Sequence, residues 1–153
     1  MNELMEDPAG PARRLRVLIA DDHPAMRRAM RNALATQPSR FDVAGEAGDG
    51  EQATALIARL LPDVALVDLR MPGLDGIEVA AWVARHVPPL PTRVLLLSAF
   101  HDDPLVLRAL RAGAAGYADK GTSHAELCEA VSAVGAGKFA FTARTLGGAG
   151  QGR

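Results

Sequence analysis

The stretch "LIADDHPAMRRAM", residues 18–30, ends an apolar run in two adjacent carboxylates, Asp21 and Asp22. A third acid, Asp68, ends the apolar run that begins at Val64. Ser98 ends "RVLLLS", and Lys120 follows "AGYAD". Neighbouring carboxylates repel, so acids gathered at one place call for a cation. A hard divalent ion such as Mg²⁺ takes oxygen ligands and keeps several waters. On that reading Asp21 and Asp22 are one half of a metal site and Asp68 is the other. A carboxylate beside such an ion can attack phosphorus and become an aspartyl phosphate. An ammonium and a hydroxyl nearby would hold the phosphoryl oxygens, and Lys120 and Ser98 supply those groups. Each residue taken singly is also an ordinary solvated loop residue. Their joint position at strand ends is what favours the chemical reading.

Bringing them together is the task of the segments between. β-rich runs at 15–20, 41–47, 63–69, 92–100 and 115–120 alternate with helical periods at 24–37, 50–61, 76–87, 102–114 and 123–138. The fourth helix, in the run 102–114, is expected to start with an Asp cap and Pro104 at its first helical position. Strict alternation implies an α/β fold, a doubly wound parallel sheet of five strands with helices on both faces. Such sheets bind ligands beyond the carboxyl ends of their strands, where Asp21, Asp22, Asp68, Ser98 and Lys120 all fall. Residues 1–14 read as a flexible tail and residues 139–153 as a Gly-rich tail or the start of a linker, leaving 15–138 as the domain.

Composition narrows the function. The chain has 153 residues, 48% hydrophobic and 23% charged, with net charge −1. That balance argues against a strongly basic nucleic-acid binder, and the residues after 138 are too few and too Gly-rich for a helix-turn-helix. No direct DNA binding by this chain is expected. The single cysteine, Cys128, allows no internal disulfide. No run approaches membrane-spanning length, and the first residues lack an apolar signal core, so no membrane contact and a cytoplasmic location are expected.

The stretches "VLIADDHPAMRRAM", "VAGEAGDGEQA", "PDVALVDLRMPGLDGIEVA", "VLLLSAF" and "RALRAGAAGYADKG" resemble the receiver domain of bacterial two-component response regulators. Ser98 lies 30 residues after Asp68 and Lys120 lies 22 after Ser98, both spacings similar to the family's. The "DDHP" and "GEAGDGEQA" stretches resemble the branch that carries a C-terminal LuxR-type helix-turn-helix. The resemblance implies a flavodoxin-like sheet of order 2-1-3-4-5. It implies Asp68 as phosphoacceptor from a sensor histidine kinase, and Mg²⁺ held by Asp22, by Asp21 largely through water, by Asp68 and by the backbone carbonyl of Arg70. Ser98 and Lys120 would grip the phosphoryl group, and Tyr117 would be the aromatic residue that turns inward on activation. The reaction would be self-catalysed transfer and loss of one phosphoryl group, not turnover by an enzyme. The output would be a protein contact such as a homodimer or, alternatively, DNA binding by a further domain of a longer regulator. Ser98 stands where many members have Thr, and Gly121 where other branches have Pro.

Two other classes share parts of the pattern. A phosphatase of the haloacid dehalogenase type needs an acid two residues after its nucleophile, and Arg70 stands there. A flavodoxin-type cofactor binder needs a phosphate-cradling loop after the first strand, and "DDHP" would repel phosphate. Of the remaining residues, His23 reads as a loop residue rather than a ligand, Cys128 as core and Trp82 as packing. Arg27, Arg28 and Arg31 read as a basic, solvated helix face. Gly73 and Gly76 serve the turn after Asp68.

Overall fold

Every expected strand and helix forms. A computed structural model describes residues 13–99 and 103–142. The order is β1 (Leu15–Ala20), α1 (Pro24–Ala35), β2 (Phe41–Ala47), α2 (Gly50–Leu60), β3 (Val64–Asp68), α3 (Gly76–Arg85), β4 (Arg93–Ser98), α4 (Asp103–Ala112), β5 (Gly116–Asp119), α5 (His124–Gly135) and β6 (Ala140–Phe141). The sheet runs β2-β1-β3-β4-β5-β6 with every pair parallel. The tail residues 1–12 and 143–153 lie outside the described residues, and α4 begins at Asp103, so Pro104 is its second residue rather than its first.

Both faces of the sheet are covered, and strand alternation decides which residue goes where. Val17 and Ile19, Val64 and Leu66, and Leu95 and Leu97 pack with Leu34 of α1 and Val131 of α5. Leu18 and Ala20, Ala65 and Val67, and Leu96 and Tyr117 pack on the other face with α2, α3 and Ala109 of α4. The helices start where the local sequence satisfies their free N–H groups. Asp49 accepts from Gln52 at the head of α2, and capping boxes Asp75–Glu78 and Ser123–Glu126 open α3 and α5. α5 stops at Gly135, short of the expected 138. The chain turns back there, with the Lys138 N–H donating to Ala133 O at 3.0 Å and Gly137 at φ 89°.

The sheet has six strands where the sequence suggested five. β6 is two residues long, too short for any period to show, and lies within the segment read as tail. Local chemistry holds it. The Ala140 N–H donates to Ala115 O at 3.1 Å, and the Arg93 guanidinium reaches Val134 O at 2.9 Å and Lys138 O at 3.2 Å. Gly116 makes the close approach feasible, because a Cβ there would stand 2.5 Å from Ala140 O and 2.8 Å from Leu95 Cδ1. Gly116→Ala should therefore displace β6 and destabilise the protein by about 1–3 kcal/mol, the usual cost of overpacking. A urea melt and amide exchange at residue 140 check this; unchanged protection there would show that β6 does not depend on the missing side chain.

Candidate functional site

Asp21, Asp68 and Lys120 fall on one side of the sheet by simple alternation. Val17 and Ile19 lead to Asp21, Val64 and Leu66 to Asp68, and Ala118 to Lys120, all on the face covered by α1 and α5. Ser98 and Asp119 have the opposite parity. Lys120 therefore crosses the end of β4 and puts its Nζ 3.1 Å from Asp21 Oδ2 and 3.2 Å from Asp68 Oδ1. Its backbone N–H donates to Ser98 O at 2.9 Å, which fixes where the side chain starts. Asp119, the neighbour, is turned away from the site: its carboxylate accepts the Gly121 N–H at 2.5 Å. A proline at 121 could not make that bond.

Asp21 is fully buried and Asp68 is 4% exposed. Burial, reinforced by the charge of Asp21, raises the Asp68 carboxyl above its ordinary value against the opposing pull of Lys120. For Lys120, burial is the largest single influence and favours the neutral amine. Asp68 and Asp21 together outweigh it, and its pKa is raised. The ammonium is thus held charged between two carboxylates, one of which is under pressure to take a proton. Both close partners of Asp68, Lys120 Nζ and the Arg70 N–H at 3.4 Å, meet Oδ1. Among the described residues no such partner meets Oδ2.

Asp22 points beside this pair, and His23 comes closer to the acids than a plain loop residue would. Its N–H donates to Asp21 Oδ1 at 2.8 Å, and its Nδ1 lies 3.2 Å from that atom and 3.1 Å from Asp22 Oδ1. Asp21, Asp22, His23 and Asp68 each offer an atom within 4.8 Å of the others, a cluster able to hold a metal ion. The donor set is mostly carboxylate oxygen, suited to a hard cation. Buried Asp21 Oδ2 and Asp22 Oδ1 have charge contacts but no well-aligned hydrogen bond, which fits a cation as their missing partner.

The remaining assignments divide. Ser98 is buried at the end of β4 opposite Asp119 in register. Tyr117, expected to turn inward on activation, is already inside, 1% exposed. Its parity on β5 directs the ring into the core shared with Leu96 and Val79. The Arg face of α1 is not simply solvated: Arg27 and Arg31 both pair with Glu46 of β2. Arg27 also donates to Asp21 O at 2.6 Å, bracing the acid pair from behind. No short motif signals that brace, because Arg27 and Glu46 meet only when β2 lies beside β1. Gly76 lets α3 begin against the backbone of Asp68, since a Cβ there would be 2.6 Å from Asp68 O. Gly73 sits at φ 74° under the Glu51 carboxylate. Trp82 packs edge-on to His86, and the Cys128 thiol is buried and donates to Ala33 O at 3.3 Å.

Residues 17–132 match the response regulator receiver domain. The probable transcriptional regulatory protein NarL of Mycobacterium tuberculosis is 46% identical over 136 residues, covering 88% of this chain and 61% of that protein. The DNA-binding transcriptional activator DevR/DosR of the same organism is 39% identical over 124 residues, covering 81% and 56%. Among solved structures, the signal receiver domain of the putative M. tuberculosis response regulator NarL superposes with a TM-score of 0.79 at 45% identity, over 83% of this chain and 100% of that one. A LuxR-family two-component response regulator from Aurantimonas sp. SI85-9A1 gives 0.78 at 32% identity, over 85% and 91%. The chain belongs to the response regulator receiver domain family. It spans 61% and 56% of the two curated relatives just described. No helix among the described residues is long and apolar enough to cross a membrane.

Because the Asp68 carboxyl is raised, the folded protein holds a proton there more tightly than the unfolded chain does. The ionised group is then a cost at neutral pH. That cost is relieved as pH falls through the raised value, and no further change follows once both states are protonated, below about pH 4. In chelator-treated buffer Asp68→Asn should raise the urea midpoint at pH 7, with the gain shrinking toward zero near about pH 4. A variant less stable than the parent at pH 7 would mean that attraction to Lys120 outweighs burial.

Proposed function

We propose that Asp68 accepts a phosphoryl group from the phosphohistidine of a sensor histidine kinase and that the phosphorylated domain alters a protein-binding surface. The observation that carries this reading is Lys120 Nζ standing between Asp21 and Asp68, 3.1 and 3.2 Å away. Mg²⁺ would be held by the carboxylates of Asp22 and Asp68, by the Arg70 carbonyl and by Asp21 largely through water. When bound, it supplies positive charge that neutralises the transferring oxygens.

The chain's own groups do the rest. Asp68 Oδ2 attacks phosphorus, and the bond to the imidazole nitrogen breaks. Lys120 keeps Oδ1 oriented and then faces the charge that arrives with the phosphoryl group. The Ser98 hydroxyl donates to a phosphoryl oxygen. Water later attacks phosphorus and restores the carboxylate, so the protein resets itself and is not a turnover enzyme. Arg70, in the place where a phosphatase would keep a general acid, holds its protons too tightly to give one to a leaving group.

A second reading follows from length. The relatives are named as transcriptional regulators and are longer than this chain. Residues 1–153 would then be the receiver part of a LuxR-type regulator whose DNA contacts lie in another domain, with a homodimer as one form of its output.

With Mg²⁺ and a small acyl phosphate, intact mass spectrometry should show the gain of one phosphoryl group, and Asp68→Asn should take up none. Label mapped to another residue, or uptake by the variant, rules out the assignment. By calorimetry, Asp22→Ala should weaken Mg²⁺ binding sharply while His23→Ala changes it little; equal losses would make the imidazole a ligand and contradict the oxygen-only set.

A further inference from the structure

Next to the acidic cluster lies a cleft of about 480 Å³, running from Asp22 past Leu69, Arg70 and Met71 to Leu105 and Arg108 of α4. It falls in the range of about 300–1,000 Å³ typical of small-molecule sites. A phosphoryl group on Asp68 is already provided for by Lys120 and by the cation the acid cluster would hold, so this space exceeds what the transferred group needs. The cleft's floor is apolar at Leu69, Met71 and Leu105. Its one acid besides Asp22 is Asp75, whose carboxylate is occupied in capping α3, where it accepts from the Glu78 N–H at 2.8 Å. Arg108 is exposed on α4, three residues from Leu105 and so on the same helix face. Among the described residues its guanidinium makes no ion pair or hydrogen bond, unlike those of Arg13, Arg16, Arg27, Arg31, Arg40 and Arg93.

We propose that this cleft is a leaving-group subsite for small anionic phosphodonors, with Arg108 receiving the carboxylate that departs from an acyl phosphate. The inference rests on the Asp68 reading above. In the step, an Asp68 oxygen forms a bond to phosphorus while the phosphorus–oxygen bond to the acyl group breaks. The bonding pair leaves with the acyl oxygen, giving a carboxylate anion, and no proton is required. The acyl chain lies over Leu69, Met71 and Leu105. Negative charge grows on the departing oxygen as the bond breaks, so a guanidinium there acts more strongly on the transition state than on the bound donor. A donor whose leaving group departs as a neutral molecule gives Arg108 no such role. Phosphoramidate, which releases ammonia, is that donor.

The test uses the full chain with saturating Mg²⁺ and follows phosphorylation over time by intact mass, with acetyl phosphate and with phosphoramidate. Arg108→Ala should lower the second-order rate with acetyl phosphate by about tenfold, the scale of one charge-assisted hydrogen bond. The phosphoramidate rate should stay within about twofold, well under the tenfold expected of one such bond. Arg108→Lys should recover part of the loss. Equal slowing with both donors, or no slowing with acetyl phosphate, overturns the subsite. Failure of the unmutated chain to take a phosphoryl group from either donor overturns the Asp68 reading itself, and the subsite with it. Urea melts of the variants, expected to match the parent because Arg108 is exposed, separate a folding defect from a chemical one.

Discussion

An ammonium group held between two buried carboxylates governs the rest of this molecule. Asp21 and Asp68 have been taken out of water, and a buried charge without a partner costs several kcal/mol. Lys120 is the partner that makes the pair tolerable. It can serve only if β5 ends level with β1 and β3 and the side chain can pass the end of β4. Neighbouring strands are spaced about 4.8 Å apart, so the span from β5 to β3 suits the long, unbranched lysine arm. The Lys120 N–H on Ser98 O sets the origin of that arm. The strand register is thus coupled directly to the electrostatics of the site.

The ammonium settles only part of the charge. Asp68 remains raised despite Lys120, and Asp22 adds a third carboxylate at the surface. The site is therefore left short of positive charge while the domain is folded and whole. A cation, or a chemical change at Asp68, alters the balance without rearranging the core. That is a sound basis for a switch: the strain is local and electrostatic, and the sheet beneath it is rigid and packed on both faces. Backbone fit supports the same point. Gly76 brings the start of α3 against Asp68, so the end of β3 and the loop that follows it are packed directly on that helix.

α4 stands apart from the other helices in how little it buries. Only Ala109 of its ten residues is fully inside, whereas α5 buries five and α3 buries five. Less apolar anchoring means a lower cost of local movement. The helix that walls the cleft is therefore the one that buries least against the sheet.

Much was legible before any coordinates. Alternating strand and helix periods set the class of fold, and acids, Ser98 and Lys120 at strand ends marked one edge of the sheet. Those signals are local: an apolar period of two or 3.6 residues, a capping pair such as Asp75 and Glu78, a stop at Pro62. What the linear chain did not reveal depends on partners far apart in it. β6 exists because Gly116 has no side chain to exclude it. Arg27 braces Asp21 because β2 lies beside β1, and that same neighbour, through Glu46, takes up the charge of a face that read as solvated. Tyr117 is interior because strand parity points it into the core of α2, α3 and α4. Residue types and order determined which groups could meet at the edge of the sheet. Only the packed tertiary structure decided which of them touch, since distances of 3 Å between residues 50 or 100 apart are fixed by register and burial, which no short stretch of sequence encodes.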